Sequence, residues 1–444
     1  MTGMHIGYDL SFTHTEGAWA RQGSWSGTDF PDIRMYMELA RTAERAGVGM
    51  LFFGDGSGIP STWRGSIEPA VEWGIQWPRH DMSPVIAAMS TVTERIGFGL
   101  TYSSTFMHPF YVARLLNSLD HVTNGRIAFN VVASTRGADA ANYGFNQLMD
   151  HGLRYERMEE FVAVCRALWD SVAPDAIVRD RSTGRFADPS KVHPIDHEGK
   201  FFTVKGPLAS VPSPQHHPLV VQAGNSPRGI TASARLADLV FGFGGSLAGQ
   251  QRHRDLLDQA LRCEGRDPAR VGILWATQVI VGRTTAEALA RRDSVHEFWN
   301  EEAVATYLSH NAGYDFSTLP ESFRLAELRD EILAANASPA GLVGSLVAEL
   351  GENHTMSRGE FFAHGRGHAT GLDHSIVGDP DTVADALQDN FAATGARGGY
   401  MFSCPAAMPS GFGEISELLL PELRRRGALA PAYPGATLRE NLAV

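Results

Sequence analysis

Val48-Gly49-Met50-Leu51-Phe52-Phe53-Gly54-Asp55 is apolar almost throughout and ends on a glycine and a carboxylate. A strand with no polar alternation is buried on both faces, which is the mark of a parallel strand covered by helices. The neighbouring sequence repeats the theme. Met4 to Phe12 reads as a strand before it. Pro31 to Ala46 reads as a helix with Tyr36, Leu39, Ala40 and Ala43 on one face and Gly47 as its stop. After it, Ser83-Pro84 opens a helix carrying Val85, Ala88, Met89 and Val92, and Ile96 to Thr105 is the third strand. A helix then runs to about His121, turns at Asn124-Gly125, and feeds a fourth strand from Arg126 to Ser134.

The second half keeps the alternation. Met158, Phe161, Val162, Cys165, Leu168 and Trp169 recur at helical spacing in the segment that starts at His151. Pro218 to Gly224, Ala237 to Gly244 and Val271 to Val281 read as strands five to seven. A helix opens at Asp379-Pro380 and stops at Gly395, and Gly399 to Cys404 is the eighth strand. Strands interleaved with helices in this number predict an α/β fold of the (β/α)8 TIM-barrel type, as a single domain over residues 1–444.

Three segments fall outside the alternation: about 56–82, 175–215 and 301–375. The first is rich in Trp (Trp63, Trp73, Trp77) and the others in His. Long barrel insertions are usually lids or substrate walls. The first and third follow strands two and seven, so they are expected to rise over the active face. The middle one precedes strand five and is expected to wrap the opposite end.

A formal charge of -12 without a Lys/Arg cluster argues against a nucleic-acid partner. Cys165, Cys263 and Cys404 are too few and too scattered for a disulfide framework or a zinc site. No leader sequence or membrane-spanning run is evident, so the reading is a cytoplasmic protein without a membrane partner.

Active groups of such barrels sit at the carboxyl ends of the strands. Here those ends offer His14, Asp55, Thr101 to Thr105, Asn130 to Ser134, Ser226 and Phe241 to Gly245. Paired carboxylates, HExxH and GxSxG are absent. In Gln222-Ala-Gly224-Asn-Ser226-Pro227-Arg228, Ser226 can cap a helix, Pro227 suits its first turn, and Gly224 lets backbone approach an anion. A site poor in its own reactive groups beside a phosphate cradle points to a bound cofactor that carries the chemistry. Each residue also has a plainer reading. Asp55 could cap a turn, Asn130 could be a buried structural amide, and His151 with Tyr155 could be one surface face of a helix.

Leu119-Asp120-His121-Val-Thr-Asn-Gly125-Arg126-Ile-Ala-Phe-Asn130-Val-Val-Ala-Ser134 resembles the flavin monooxygenases of the bacterial-luciferase superfamily. The nitrilotriacetate and dibenzothiophene-sulfone monooxygenase group is the nearest likeness. His151-Gly-Leu-Arg-Tyr155-Glu-Arg, His197-Glu-Gly-Lys-Phe201, Gly206-Pro207-Leu208 and Gln222-Ala-Gly-Asn-Ser226 follow in the same order.

The resemblance implies a barrel that binds reduced FMN, delivered by a separate flavin reductase. With it one atom of O2 passes to a small-molecule substrate, and water is released. It places Asp55, Ser104, Thr105 and Asn130 near the flavin and its ribityl chain, and His151, Tyr155, Gly224 and Ser226 around the phosphate. Asn130 and Thr101 would hold dioxygen, and His14 would face the substrate. It implies no metal, and a homo-oligomer (dimer or tetramer). Phe129 and Ala133 depart from the Trp and Thr common in the family, which bears on Ser134 as a flavin contact. Phe12, Trp19, Trp25, Trp63, Trp73, Phe241 and Phe243 suggest an apolar or aromatic substrate. The rival readings are a deazaflavin-dependent oxidoreductase on the same fold and a non-catalytic flavin-binding protein.

Overall fold

Short apolar runs bounded by glycine and turn residues become eight parallel strands: β1 (His5–Asp9), β2 (Met50–Phe53), β3 (Gly97–Ser103), β4 (Ile127–Val132), β5 (Leu219–Gln222), β6 (Leu239–Gly242), β7 (Gly272–Val281) and β8 (Gly398–Ser403). The computed structural model describes residues 3–11, 19–21, 24–25, 30–243, 245–335, 341–404 and 409–443. The strands pair in the order β6-β5-β4-β3-β2-β1-β8-β7, and β6 pairs with β7 to close the barrel. The (β/α)8 expectation is met.

Seven helices connect or flank the strands: α1 (Arg34–Arg45), α2 (Met82–Ser90), α3 (Pro109–Val122), α4 (His151–Asp170), α5 (Pro227–Leu236), α6 (Leu247–Cys263) and α7 (Pro380–Ala393). After β8 the chain runs through Ser410–Glu414, Ile415–Leu419 and Leu420–Arg425 as an eighth, bent helix. The apolar faces expected of α1 and α4 are buried. The start of α2 lies earlier than Ser83. Asp81 is the cap, its carboxylate accepting from Ser83 N, because a carboxylate in that position serves the same free amide.

Strand period two sorts side chains into two cores. Ile127, Phe129 and Val131 face the helices, whereas Ala128 faces the barrel axis with Met50, Phe52, Leu219, Val221 and Leu274. Glycine makes room for the large ones: a Cβ on Gly99 would lie 2.9 Å from Phe52 and one on Gly97 only 2.3 Å from Leu438. Leu438 and Leu442, the first and last residues of a short helix near the end of the chain (Leu438–Leu442), plug the amino end of the barrel. The interior is therefore packed below and open only at the carboxyl ends of the strands.

The first and third insertions form one cap. Trp63, Ala70 and Ile75 share a second apolar core with Trp299, Val304, Leu308, Phe361 and Phe362. Trp63 and Phe362 meet edge to face at 6.0 Å, and Trp73 Nε1 donates to Glu302 at 3.2 Å. The middle insertion reaches the far end, as expected, only through its last residues, where Gln215 Oε1 accepts from Arg439 N at 3.1 Å. It straps the outer flank of α3 and α4: Phe202 N donates to Glu160, Leu208 N to Ser171 Oγ, and Asn117 Nδ2 to Ser210 Oγ. Its hairpins are polar outside and carry a few apolar anchors, so the bulk of the segment pairs with helix flanks. No described helix is long and apolar enough to cross a membrane.

Candidate active site

Asn130 stands two residues beyond Ala128, so it too points into the barrel, and Thr101 is its register partner on β3. Asn130 Nδ2 donates to Thr101 Oγ1 at 2.8 Å, and Thr101 Oγ1 donates to the Phe53 carbonyl at 2.9 Å. The Thr101 proton is thus engaged, and this hydroxyl fixes the Asn130 amide by accepting its hydrogen bond. Asn130 Oδ1 is buried and unpartnered.

The same is true of Gln250 Oε1 and Gln278 Oε1, and all three residues line one cavity of about 600 Å³. A buried acceptor left without a donor costs about 1–3 kcal/mol. Three around one cavity form a site that a ligand rich in N–H and O–H groups would satisfy. The cavity has Phe52 and Phe241 on its barrel side, with ring centroids 4.9 Å apart, and Trp299, Tyr307 and His368 on its cap side.

Asp9, Asp55 and Arg136 are among the charged groups that border it. Asp9 accepts from Ser11 N at 3.0 Å, and Ser11 Oγ in turn accepts from Gly54 N at 2.6 Å, which ties the ends of β1 and β2 together. Burial raises the Asp9 carboxyl pKa. Asp55 is solvent-exposed at the edge of the cavity, and desolvation by the protein on its inner side raises its carboxyl pKa too, against a bond from Gly56 N at 2.8 Å. The Arg136 guanidinium, half-buried in the cavity wall, makes no hydrogen bond or ion pair among the described residues.

The expected phosphate residues gather at the rim. Ser226 caps α5, accepting from Gly229 N at 3.0 Å, with Pro227 in the first turn. A Cβ on Gly224 would stand 2.7 Å from Gly229 Cα, and one on Gly229 would stand 3.0 Å from Tyr155 Oη. His151 packs edge to face on Tyr155 at 5.1 Å, and the Arg228 guanidinium lies 5.2 Å from the Tyr155 ring centre. Arg228 Nη1 also donates to Glu159 at 2.7 Å. Ala223, one residue before Gly224, is in the cavity wall, so the cradle adjoins the cavity.

Other expected residues fall elsewhere. The Ser104 and Thr105 hydroxyls donate to the Val132 and Ala133 carbonyls at 3.1 and 2.7 Å and line neither the main cavity nor the narrow cleft beside it. Ser103 and Ser134, 2.8 Å apart, line that cleft instead. Period two explains the exchange, because Ser103 shares the inward face of Thr101. His14 and Phe12 lie outside the described residues. Of the expected aromatic wall, Phe241 and Phe243 line the cavity. Trp25 packs on Tyr36 at 5.0 Å, Trp63 belongs to the cap core with Trp73 against it, and Trp19 is exposed. Composition could not tell a cap core from a wall. Asp9, Arg136, Gln250 and Gln278 are not singled out by the sequence, since only tertiary contacts bring Asp9 to the cavity and leave polar atoms of the other three unpaired among the described residues.

Comparison with known proteins agrees with this geometry. The family model described as luciferase-like monooxygenase matches residues 8–398. Dibenzothiophene-sulfone monooxygenase of Rhodococcus erythropolis is 33% identical over 433 residues, spanning 97% of this chain and 93% of that protein. The crystal structure of long-chain alkane monooxygenase superposes with a TM-score of 0.88 at 30% identity, covering 100% of this chain and 96% of the other. That of riboflavin lyase, with modified FMN and its substrate riboflavin, superposes with a TM-score of 0.86 at 27% identity, covering 99% and 96%. With a match over most of its length and this barrel beneath it, the chain belongs to the luciferase-like monooxygenase family.

Proposed function

We propose that the chain is the oxygenase component of a two-component system, which binds reduced FMN and uses O2 to oxygenate a small organic substrate. The observation that carries this is one cavity edged by three orphaned carboxamide oxygens and joined, through Ala223, to a helix-N-terminal cradle. The donor set suits the group: a ring N–H and a chain of hydroxyls for the acceptors, a phosphate for the cradle. When bound, reduced FMN supplies the two electrons that activate dioxygen.

The chain's own residues do the rest. The α5 amides, the Ser226 hydroxyl, Tyr155 and His151 hold the phosphate, aided by the helix dipole. Asn130, fixed through Thr101, accepts a ring N–H and keeps its second Nδ2 hydrogen for developing negative charge. The cap excludes water, which would otherwise divert reduced oxygen to hydrogen peroxide. A separate flavin reductase as the source of reduced FMN is proposed on the likeness to the nitrilotriacetate and dibenzothiophene-sulfone group.

The substrate is an organic molecule whose apolar body lies against Phe241, Phe243 and Trp299. A polar or anionic group on it is received by Arg136, the unpaired cation of the wall. This adds a polar group to the apolar or aromatic substrate expected from composition.

The test supplies reduced FMN and 18O2 with a panel of sulfones, halophenols, alkanes and aminopolycarboxylates. One 18O atom in a product, made only with the protein present, is the expected result. Equal hydrogen peroxide with and without every substrate would instead favour a non-catalytic flavin-binding protein. Tighter binding of a reduced deazaflavin than of reduced FMN would favour the dehydrogenase.

A further inference from the structure

At the end of the barrel away from the cavity, α4 finishes at Asp170, and His216-His217 leads into β5. His216 Nε2 and His217 Nε2 approach the same Asp170 oxygen, at 2.8 and 2.7 Å. The two imidazoles stack with centroids 4.8 Å apart and planes 16° from parallel. The three potential ligand atoms all lie within 4.8 Å of one another.

Charge explains why this triad is unusual. Asp170 closes a twenty-residue helix, where the dipole disfavours a carboxylate and favours a cation. Yet no Lys or Arg pairs with it among the described residues. Arg439, in the adjoining groove, is engaged by Asp238 at 2.9 Å, and Arg166 donates to the Leu236 carbonyl at 2.6 Å. Among the described residues the two imidazoles are the only groups that bond the Asp170 carboxylate, and His216 Nδ1 is buried without a partner. The side chains remain open to solvent, from 27% for His217 to 56% for Asp170.

We infer that Asp170, His216 and His217 form a binding site for a divalent transition-metal ion such as Ni(II) or Zn(II), separate from the oxygenase cavity. Two imidazole nitrogens and one carboxylate oxygen suit ions of borderline softness. Metal bonds of about 2.1 Å set at right angles place ligand atoms about 3.0 Å apart, close to the nitrogen-to-oxygen spacings here. Water fills the remaining positions. Binding takes the Nε2 lone pairs, so a neutral imidazole shifts its proton to Nδ1 and an imidazolium gives one up to solvent, and the ion fastens the end of α4 to the start of β5.

The test uses the full chain without a polyhistidine tag, stripped by chelator and titrated with Ni(II) by calorimetry. Saturable binding of one ion per chain is expected, with a rise in Tm on Ni(II) addition and a Co(II) visible spectrum of a nitrogen–oxygen site. His217→Gln and Asp170→Asn should each weaken binding at least about tenfold. His216→Asn should do the same while tolerating the left-handed backbone at this position, where φ is 61°. His193→Ala, outside the triad, should bind as the parent does. No saturable binding at millimolar Ni(II), or unchanged affinity in folded His217→Gln and His216→Asn proteins, would overturn the assignment.

Discussion

Asn130 is a buried amide with one end tied and the other open: Nδ2 is bound to Thr101, and Oδ1 has no partner. A purely structural asparagine would have both ends satisfied. Asn130→Ala should therefore leave the fold near normal, weaken FMN by no more than about tenfold through the lost ring contact, and lower substrate oxygenation on the order of a hundredfold, with oxygen appearing as hydrogen peroxide. Product yield per oxygen consumed checks this, and full coupling in the variant would reject the role. Asp55 gives a second prediction. Its folded pKa is raised by burial, so its carboxylate costs stability as pH climbs from the unfolded value through the folded one. Asp55→Asn should raise Tm at pH 8, and the gain should vanish near about pH 3, where the carboxyl is protonated in both states. A gain independent of pH would contradict it.

Elements were more legible than their partners. The helix face of α4 and the cap of α5 could be read from spacing and from Ser-Pro, because both are set by local rules. The inward turn of Asn130 follows from period two once β4 is placed. What could not be read was which polar atoms go unpaired. Gln250 and Gln278 sit on α6 and β7, and only the closed barrel brings them to the wall that holds Asn130. The start of α2 moved to Asp81 because two acceptable caps lie two residues apart, and the chain uses the carboxylate. At this scale Ser226→Ala should cost about 1 kcal/mol of stability through the lost cap to Gly229 N. It should also weaken FMN at least about tenfold by removing a hydroxyl from the cradle. Chemical denaturation and flavin titration measure the two effects separately, and unchanged FMN affinity would remove Ser226 from the site.

As a whole the molecule is a barrel sealed at one end by Leu438 and Leu442 and roofed at the other by a cap with its own core. The Trp-rich insertion announced a lid, but its aromatic residues serve the cap interior more than the substrate wall. Trp63→Ala should remove about 3–5 kcal/mol of packing from that core. A loosened roof should then show as faster hydrogen-exchange in residues 301–375 and more hydrogen peroxide per turnover, while the barrel strands keep their protection. Equal exchange in cap and barrel would mean that the two do not act as separate cores.

Recognition of a phosphorylated flavin tail at the start of α5 underlies every step proposed for the site. Anaerobic titration of the protein with reduced FMN and with reduced riboflavin, which differ only in the phosphate, tests it most directly. Binding of FMN tighter by at least about a hundredfold is expected, with the difference shrinking by at least about tenfold in Ser226→Ala. Equal affinity for the two flavins in the unaltered protein would contradict the account.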